Sequence, residues 1–158
     1  MRTIFGIDSV KLTDVDGSPA GRKEFICWNS PYKDPGDPSA GRVDPISEGA
    51  RLFVQLILRG VRAIAFCKLR QVCELVLTAV KSELERLGRP EVIPRVMAYR
   101  GGYTAQDRRM IEKEMFEGRL LGIVATSALE LGVDIGSLGT SIGSGNKLDV
   151  RKSVLTAS

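Results

Sequence analysis

Short apolar runs alternate with stretches of helical periodicity between residues 44 and 142, and this alternation restricts the fold more than any other feature. Continuous short apolar runs are typical of strands that are buried on both faces of a parallel sheet. The stretches between them place apolar residues every three or four positions, as an amphipathic helix does. The sequence predicts strands at 63–67, 92–98 and 120–125, helices at 50–58, 72–87 and 104–116, and a helical turn at 127–131. This order predicts an α/β domain with a doubly wound parallel sheet.

Some residues mark where the predicted elements begin and end. Thr104, with Asp107 three residues later, has the spacing of a capping box, in which side chains satisfy the free N–H groups of a helix start. Gly60 follows the first helix, as glycine commonly does at a helix end. Pro94 cannot donate a hydrogen bond within a sheet, so the strand at 92–98 is expected to begin irregularly.

The chain divides into three predicted parts. Residues 1–43 are irregular, with many turn-forming residues and one predicted strand at 24–28. Residues 44–142 form the α/β domain with a single core. Residues 143–158 are an atypical tail, expected to be mobile because little apolar surface offsets the entropy of ordering it. Residues 140–142 are predicted to pair as a short strand.

The composition excludes several kinds of active site. The chain has no histidine, which removes Ser-His-Asp and Cys-His nucleophiles and most zinc hydrolases. Cys27, Cys67 and Cys73 lack metal-binding spacing, so we expect buried reduced thiols and no metal site. No apolar run approaches the ~18 residues of a membrane span, and no secretory signal is recognised, which predicts an intracellular protein without a membrane partner. The net charge of +4 permits a polyanionic partner.

The segments that directly follow the predicted strands carry cations, glycines and hydroxyls. Ligands of doubly wound sheets bind beyond the carboxyl ends of the strands, so these segments are expected to meet on one rim. An anionic phosphate backbone is bound by cations, by close main-chain approach and by the N–H groups of helix starts. The candidate nucleic-acid-binding residues are Lys68, Arg70, Arg100, Gly101, Thr104, Thr126 and Ser127.

These candidates also have structural explanations. The pair Gly101-Gly102 fits a simple turn, and Thr104 fits a helix cap. Lys68 and Arg70 open the second predicted helix, where a positive charge opposes the helix dipole, and this favours a ligand contact. A solvated surface charge remains an alternative for each of these two residues.

Three segments resemble helicase motifs. Residues 125–135, with the sequence ATSALELGVDI, resemble motif V of superfamily-2 helicases. Residues 64–70 resemble motif IV, and residues 99–103 resemble the block between these motifs. Residues 16–19 and 28–31 are similar to the YprA/Hrq-type DNA helicases, a group akin to RecQ. The chain is thereby identified as the second RecA-like domain of such a helicase.

The resemblance implies a RecA-like fold, which is a P-loop NTPase-type fold, and a role for particular residues. It implies that Thr126 contacts the nucleic-acid backbone, and that Gly132 and Asp134 approach ATP bound between two RecA-like domains. Arg70 and Arg100 are implied as phosphate contacts. ATP and Mg would be bound mainly by the first RecA-like domain, which is one expected partner. Single-stranded nucleic acid, with DNA favoured, is the other, and a eukaryotic member would act in the nucleus.

Other helicase parts have no counterpart in the sequence. No G-x-x-x-x-G-K-[ST] loop and no strand-ending Asp-Glu pair occur, and no Q-x-x-G-R-x-G-R motif follows Leu138. The chain alone is therefore expected to be inactive and to hold no catalytic residue, whereas its parent would be an ATP-dependent helicase. A non-catalytic nucleic-acid or protein-interaction module is an alternative. A Rossmann-like domain for a dinucleotide or S-adenosylmethionine is another, although no G-x-G-x-x-G follows the first predicted strand.

Overall fold

A four-stranded parallel sheet forms the centre of the fold. The computed structural model describes residues 26–126, 129 and 138–143. The strands are β1 Ala63–Phe66, β2 Val96–Tyr99, β3 Gly122–Ala125 and β4 Thr140–Gly143. The helices are α1 Pro45–Leu58, α2 Arg70–Arg86 and α3 Ala105–Phe116, with 3-10 helices at Pro38–Ala40 and Pro90–Arg95. The strand order is β2-β3-β1-β4, and the predicted α/β fold is confirmed.

Side chains of the strands alternate between two apolar layers. Ala63, Ala65 and Val124 belong to the layer that α1 and α2 cover. Ile64 and Ile123 belong to the opposite layer, which α3 covers. The chain passes from β1 across β3 to β2 through α2 and returns to β3 through α3. These two connections run in opposite directions along the sheet. Because parallel crossovers share the same right hand, α2 and α3 lie on opposite faces, which is the predicted doubly wound arrangement.

The helix ends follow from the local sequence. The Asp44 carboxylate caps α1 by accepting a hydrogen bond from the Ser47 backbone N–H at 2.9 Å. Thr104 and Asp107 form the predicted capping box at the start of α3. Gly60 follows α1 with a φ of 78°, a left-handed conformation that favours glycine. None of the helices in the described residues is both long and apolar enough to cross a membrane.

The prediction of a strand at 92–98 is wrong for residues 92–95. Pro90–Arg95 is a 3-10 helix, and the strand begins only at Val96. Pro90 lies in the first turn of this 3-10 helix, where the fixed φ of proline favours a helical start. Pro94 lacks the N–H group that a central strand would donate, so the sheet excludes it.

The strand predicted at 24–28 is absent from its described part, residues 26–28. The backbone of this N-terminal segment pairs further along, at an isolated antiparallel bridge between Tyr32 and Arg42. Trp28 is 56% exposed and therefore lies outside the core, in contrast to the burial that an inner strand would give it.

The prediction of buried thiols holds for two of the three cysteines. Cys67 and Cys73 are buried and form no disulfide, and both belong to the apolar layer that α1 and α2 cover. Cys27 is exposed, which contradicts its predicted burial, since it lies in the N-terminal segment that does not join the sheet.

The predictions for the C-terminal part are tested only where the structure describes it. The short strand predicted at 140–142 is present as β4, which pairs with β1. The helical turn predicted at 127–131 lies outside the described residues apart from Leu129, and so does the tail from residue 144 to 158. The mobility of that tail therefore stays a prediction.

A buried carboxylate ties the N-terminal segment to α1. Glu48 is 3% exposed, and its Oε1 accepts a hydrogen bond from Trp28 Nε1 at 3.0 Å. Arg51 Nε and Nη2 donate to the same carboxylate at 2.8 and 2.7 Å. The hydrogen bond from Arg51 lowers the pKa of Glu48 most; burial opposes this and Trp28 adds to it. The folded state therefore favours the ionised form of Glu48.

Glu48→Gln is expected to lower the free energy of unfolding by about 1–2 kcal/mol at pH 7, because it removes the buried charge and one of the two oxygens that accept hydrogen bonds. A lowered pKa stabilises the fold above the ordinary pKa of 4.5, and this contribution is lost as the pH falls through the folded-state pKa. The difference between the two proteins should therefore shrink below pH 4.5. Urea denaturation followed by circular dichroism between pH 3 and pH 7 measures this difference.

Glu91→Gln is the matched control, because Glu91 is exposed and pairs with the exposed Arg89. An exposed ion pair of this kind contributes little to stability, so the control should behave like the unmodified chain. An equal loss of stability in both variants would contradict the special role of Glu48.

Candidate nucleic-acid interface

The carboxyl ends of three strands lie side by side at one edge of the sheet. Phe66, Ala125 and Tyr99 are register partners across β1, β3 and β2. The residues that follow these three partners form one row, which consists of Cys67, Thr126 and Arg100. Backbone hydrogen bonds continue the ladder into this row, from the Cys67 N–H to the Ala125 carbonyl at 2.8 Å and from the Thr126 N–H to the Tyr99 carbonyl at 3.1 Å. The structure therefore brings the three predicted segments together.

Arg70 lies beside the Gly101-Gly102 turn. A Cβ atom added at Gly101 would lie 3.8 Å from Arg70 Nη2, and one added at Gly102 would lie 4.0 Å from Arg70 Nη1. Arg70 is the first residue of α2, and it is exposed, as are both glycines. Leu69, at the N-cap, makes no side-chain hydrogen bond to this helix start. The guanidinium and the positive end of the α2 dipole therefore lie at the same edge of the sheet.

Arg100 is held from two sides. Its Nη1 lies 3.2 Å from Glu74 Oε1, and its guanidinium carbon lies 5.2 Å from the centre of the Tyr103 ring. The Arg100 side chain is 35% exposed. Sequence reasoning did not identify Glu74, although it stands four residues after Arg70 in a predicted helix and so shares a face with it.

One candidate threonine, Thr104, is engaged within the chain, and the other, Thr126, is buried. Thr104 Oγ1 accepts a hydrogen bond from the Asp107 N–H at 3.1 Å and donates one to the Asp107 carboxylate at 2.7 Å. The helix cap therefore uses the hydroxyl of Thr104, and the same capping box uses the N–H groups of Thr104 and Asp107. Thr126 is 7% exposed, in the middle of the row.

Two ionisable groups beneath the rim are held in their neutral forms. Burial raises the pKa of the Cys73 thiol to about 11, and the thiol donates a hydrogen bond to the Val124 carbonyl at 3.2 Å. Burial, and then a hydrogen bond to Glu112, raise the pKa of Tyr99 to about 12. Both groups are uncharged at pH 7, so this site holds no thiolate nucleophile from Cys73 and no phenolate from Tyr99.

The remaining candidates divide into exposed and undescribed residues. Lys68 is exposed in the turn between β1 and α2. Ser127, Gly132 and Asp134 lie outside the described residues, so their places relative to the rim stay predictions.

No protein-family model matches the chain. Three curated relatives do match it. The ATP-dependent helicases hrq1 of Schizosaccharomyces pombe and HRQ1 of Saccharomyces cerevisiae are 46% and 48% identical over 138 residues, which cover 87% of this chain and 13% of each relative. The uncharacterized ATP-dependent helicase YprA of Bacillus subtilis is 37% identical over 130 residues, which cover 82% of this chain and 17% of YprA. The chain thus spans less than a fifth of the length of these relatives.

A solved structure with a similar fold is the crystal structure of the helicase MrfA bound to DNA and AMPPNP. The TM-score is 0.73 at 33% sequence identity, over 85% of this chain and 18% of that chain. The resemblance to helicases that the sequence indicated is confirmed by the relatives and by this structure.

Proposed function

The chain belongs to the Hrq1 and YprA group of superfamily-2 helicases, with their RecA-like fold, and we propose that it is the second RecA-like domain of an ATP-dependent DNA helicase. In this proposal the rim at the carboxyl edge of the sheet contacts the phosphate backbone of a single DNA strand. The observation that carries it is the meeting of Arg70, Arg100 and the exposed Gly101-Gly102 turn at one place. The helicase relatives favour this function over binding of a dinucleotide or of S-adenosylmethionine.

The glycine pair supports a ligand that approaches the backbone closely. Neither Gly101 nor Gly102 has a positive φ, so the turn does not need glycine for its conformation. A Cβ atom at either position would meet nothing in the described chain closer than 3.8 Å, so packing does not need glycine either. A phosphate backbone lying against the turn would need it, because a side chain would keep the main-chain N–H groups away from the phosphate oxygens.

Two arginines beside this turn match the geometry of a phosphate. A guanidinium donates two parallel hydrogen bonds to phosphate oxygens, and such charge-assisted bonds are among the stronger ones in proteins. Arg70 lies beside the Gly101-Gly102 turn at the start of α2, and Arg100 directly precedes the turn after the end of β2. Lys68 adds an exposed cation from the same edge.

The nucleotide part of the proposal depends on other residues. Gly132 and Asp134 would form one wall of an ATP site whose phosphates and Mg are held mainly by another RecA-like domain of the parent protein. The turn that follows β1 carries Lys68 and Leu69 instead of a glycine-rich loop, so this turn offers no cradle for the phosphates of a nucleotide. The structure of MrfA with DNA and AMPPNP supports a combined DNA and nucleotide function for the parent. A nuclear location in a eukaryote belongs to the same proposal.

Arg70→Ala and Arg100→Ala are each expected to weaken binding of a fluorescently labelled oligothymidylate by about three- to tenfold, because each removes one charge-assisted phosphate contact. Each should also reduce the slope of log K against log salt by about 0.7, the value for one phosphate contact to a single strand. Fluorescence anisotropy of the whole chain at several salt concentrations measures both quantities.

Arg109→Ala is the matched control, since Arg109 is an exposed arginine within α3 and does not belong to the row of strand ends. It removes the same charge from the chain and should change the affinity and the slope little. If all three substitutions weakened binding equally, the rim would not be the binding site.

A further inference from the structure

The ion pair between Glu74 and Arg100 is incomplete. Arg100 Nη1 and Glu74 Oε1 are 3.2 Å apart, which is an ion-pair distance, yet their alignment is not that of a hydrogen bond. Glu74 Oε1 and Arg100 Nε are both buried, and within the described part of the chain neither has a hydrogen-bonding partner. A buried polar atom without a hydrogen-bonding partner is energetically unfavourable, so both groups would be stabilised by another partner.

The same pairing obstructs the arginine as a phosphate ligand. A guanidinium binds phosphate bidentately along an edge formed by two neighbouring nitrogens. The edge that contains Nε is closed to a phosphate because this nitrogen is buried, and the other edge contains Nη1, which faces Glu74. Arg100 must therefore leave Glu74 before it can make two hydrogen bonds to one phosphate group.

We propose that Glu74 competes with the DNA phosphate for Arg100, so that Arg100 stays paired with Glu74 until a DNA strand binds. This inference rests on the function proposed above. Carboxylate and phosphate both bind a guanidinium through two oxygens, so one can take the place of the other. The Glu74 side chain is 44% exposed, which lets its carboxylate turn into water when it is displaced. Arg70, four residues earlier on the same face of α2, stays in place beside the glycine turn to bind the arriving phosphate.

Glu74→Gln keeps the shape of the side chain and removes its charge. The exposed part of the ion pair limits its strength, so the variant is expected to bind labelled oligothymidylate about two- to fivefold more tightly than the unmodified chain at low salt. Glu85→Gln is the control, because it removes the same charge from an exposed position near the end of α2. Tighter binding by Glu74→Gln than by Glu85→Gln supports the competition; equal binding, or weaker binding by Glu74→Gln, overturns it.

A double substitution separates competition from other effects of Glu74. If Glu74 acts through Arg100, the gain from Glu74→Gln disappears when Arg100 is already alanine. A gain that persists in the Arg100→Ala background overturns the inference, because Glu74 would then act on DNA directly. Failure of the proposed function has a different signature, in which Arg70→Ala and Arg100→Ala bind like the Arg109→Ala control.

Discussion

Phe53→Ala is expected to lower the free energy of unfolding by about 3–5 kcal/mol, the usual cost of removing a buried aromatic ring from a core. Phe53 lies in α1, has no exposed surface, and belongs to the apolar layer between α1, α2 and the sheet. Its ring reaches the sheet at Gly122, where no side chain from β3 could fill the space left behind. The loss should therefore be close to the upper end of this range.

Urea denaturation followed by circular dichroism measures this effect, with Phe116→Ala as the control. Phe116 ends α3 and is 58% exposed, so its ring buries little surface and its removal should cost less than about 1 kcal/mol. Similar losses in both variants would mean that the layer beneath α1 is not the main core. If Phe53→Ala does not fold, Phe53→Leu gives the comparison, because leucine keeps more of the buried apolar side chain than alanine does.

The sequence predicted most of the fold because the core is built from periodic patterns. The stripe in 50–58 placed Phe53 on the buried face of a helix, and the apolar run at 63–67 gave the central strand β1. Local chemistry also predicted the Thr104 cap. The prediction failed at Pro90–Arg95, where apolar residues between two prolines matched a strand by composition although their backbone is a 3-10 helix.

The candidate site was predictable in outline and not in detail. Parallel topology alone indicated that the segments after β1, β2 and β3 would meet, and the register of these strands shows that they do. The pairing of Arg100 with Glu74 could not be predicted, because it joins a strand end to a helix that lies earlier in the chain. For Thr104 the sequence allowed either a helix cap or a ligand contact, and the structure shows that its hydroxyl forms the helix cap.

Gly122 shows a further limit of sequence reasoning. The apolar run at 120–125 predicted a strand, but nothing in it explained a glycine, which weakens a strand interior. The structure supplies the reason, because a Cβ atom at Gly122 would overlap Cζ of Phe53 and would lie 2.8 Å from Cε1 of the same ring. The glycine and the large ring are therefore complementary, and this complementarity joins residues that are distant in the sequence.

Gly122→Ala is expected to lower the free energy of unfolding by about 2–3 kcal/mol, because the added methyl group overlaps a fully buried ring that cannot move away without disturbing the core. Gly49→Ala is the control, since a Cβ at this α1 position would meet nothing within 4 Å and should stabilise the helix by up to about 1 kcal/mol. Leucine at position 53 lacks the two ring atoms that the methyl group would overlap, so Gly122→Ala should cost about 1 kcal/mol less in the Phe53→Leu background than in the unmodified chain. Denaturation of the four proteins in this cycle measures the coupling between the two positions. Strictly additive losses would show that the methyl group destabilises β3 by some route other than the Phe53 ring.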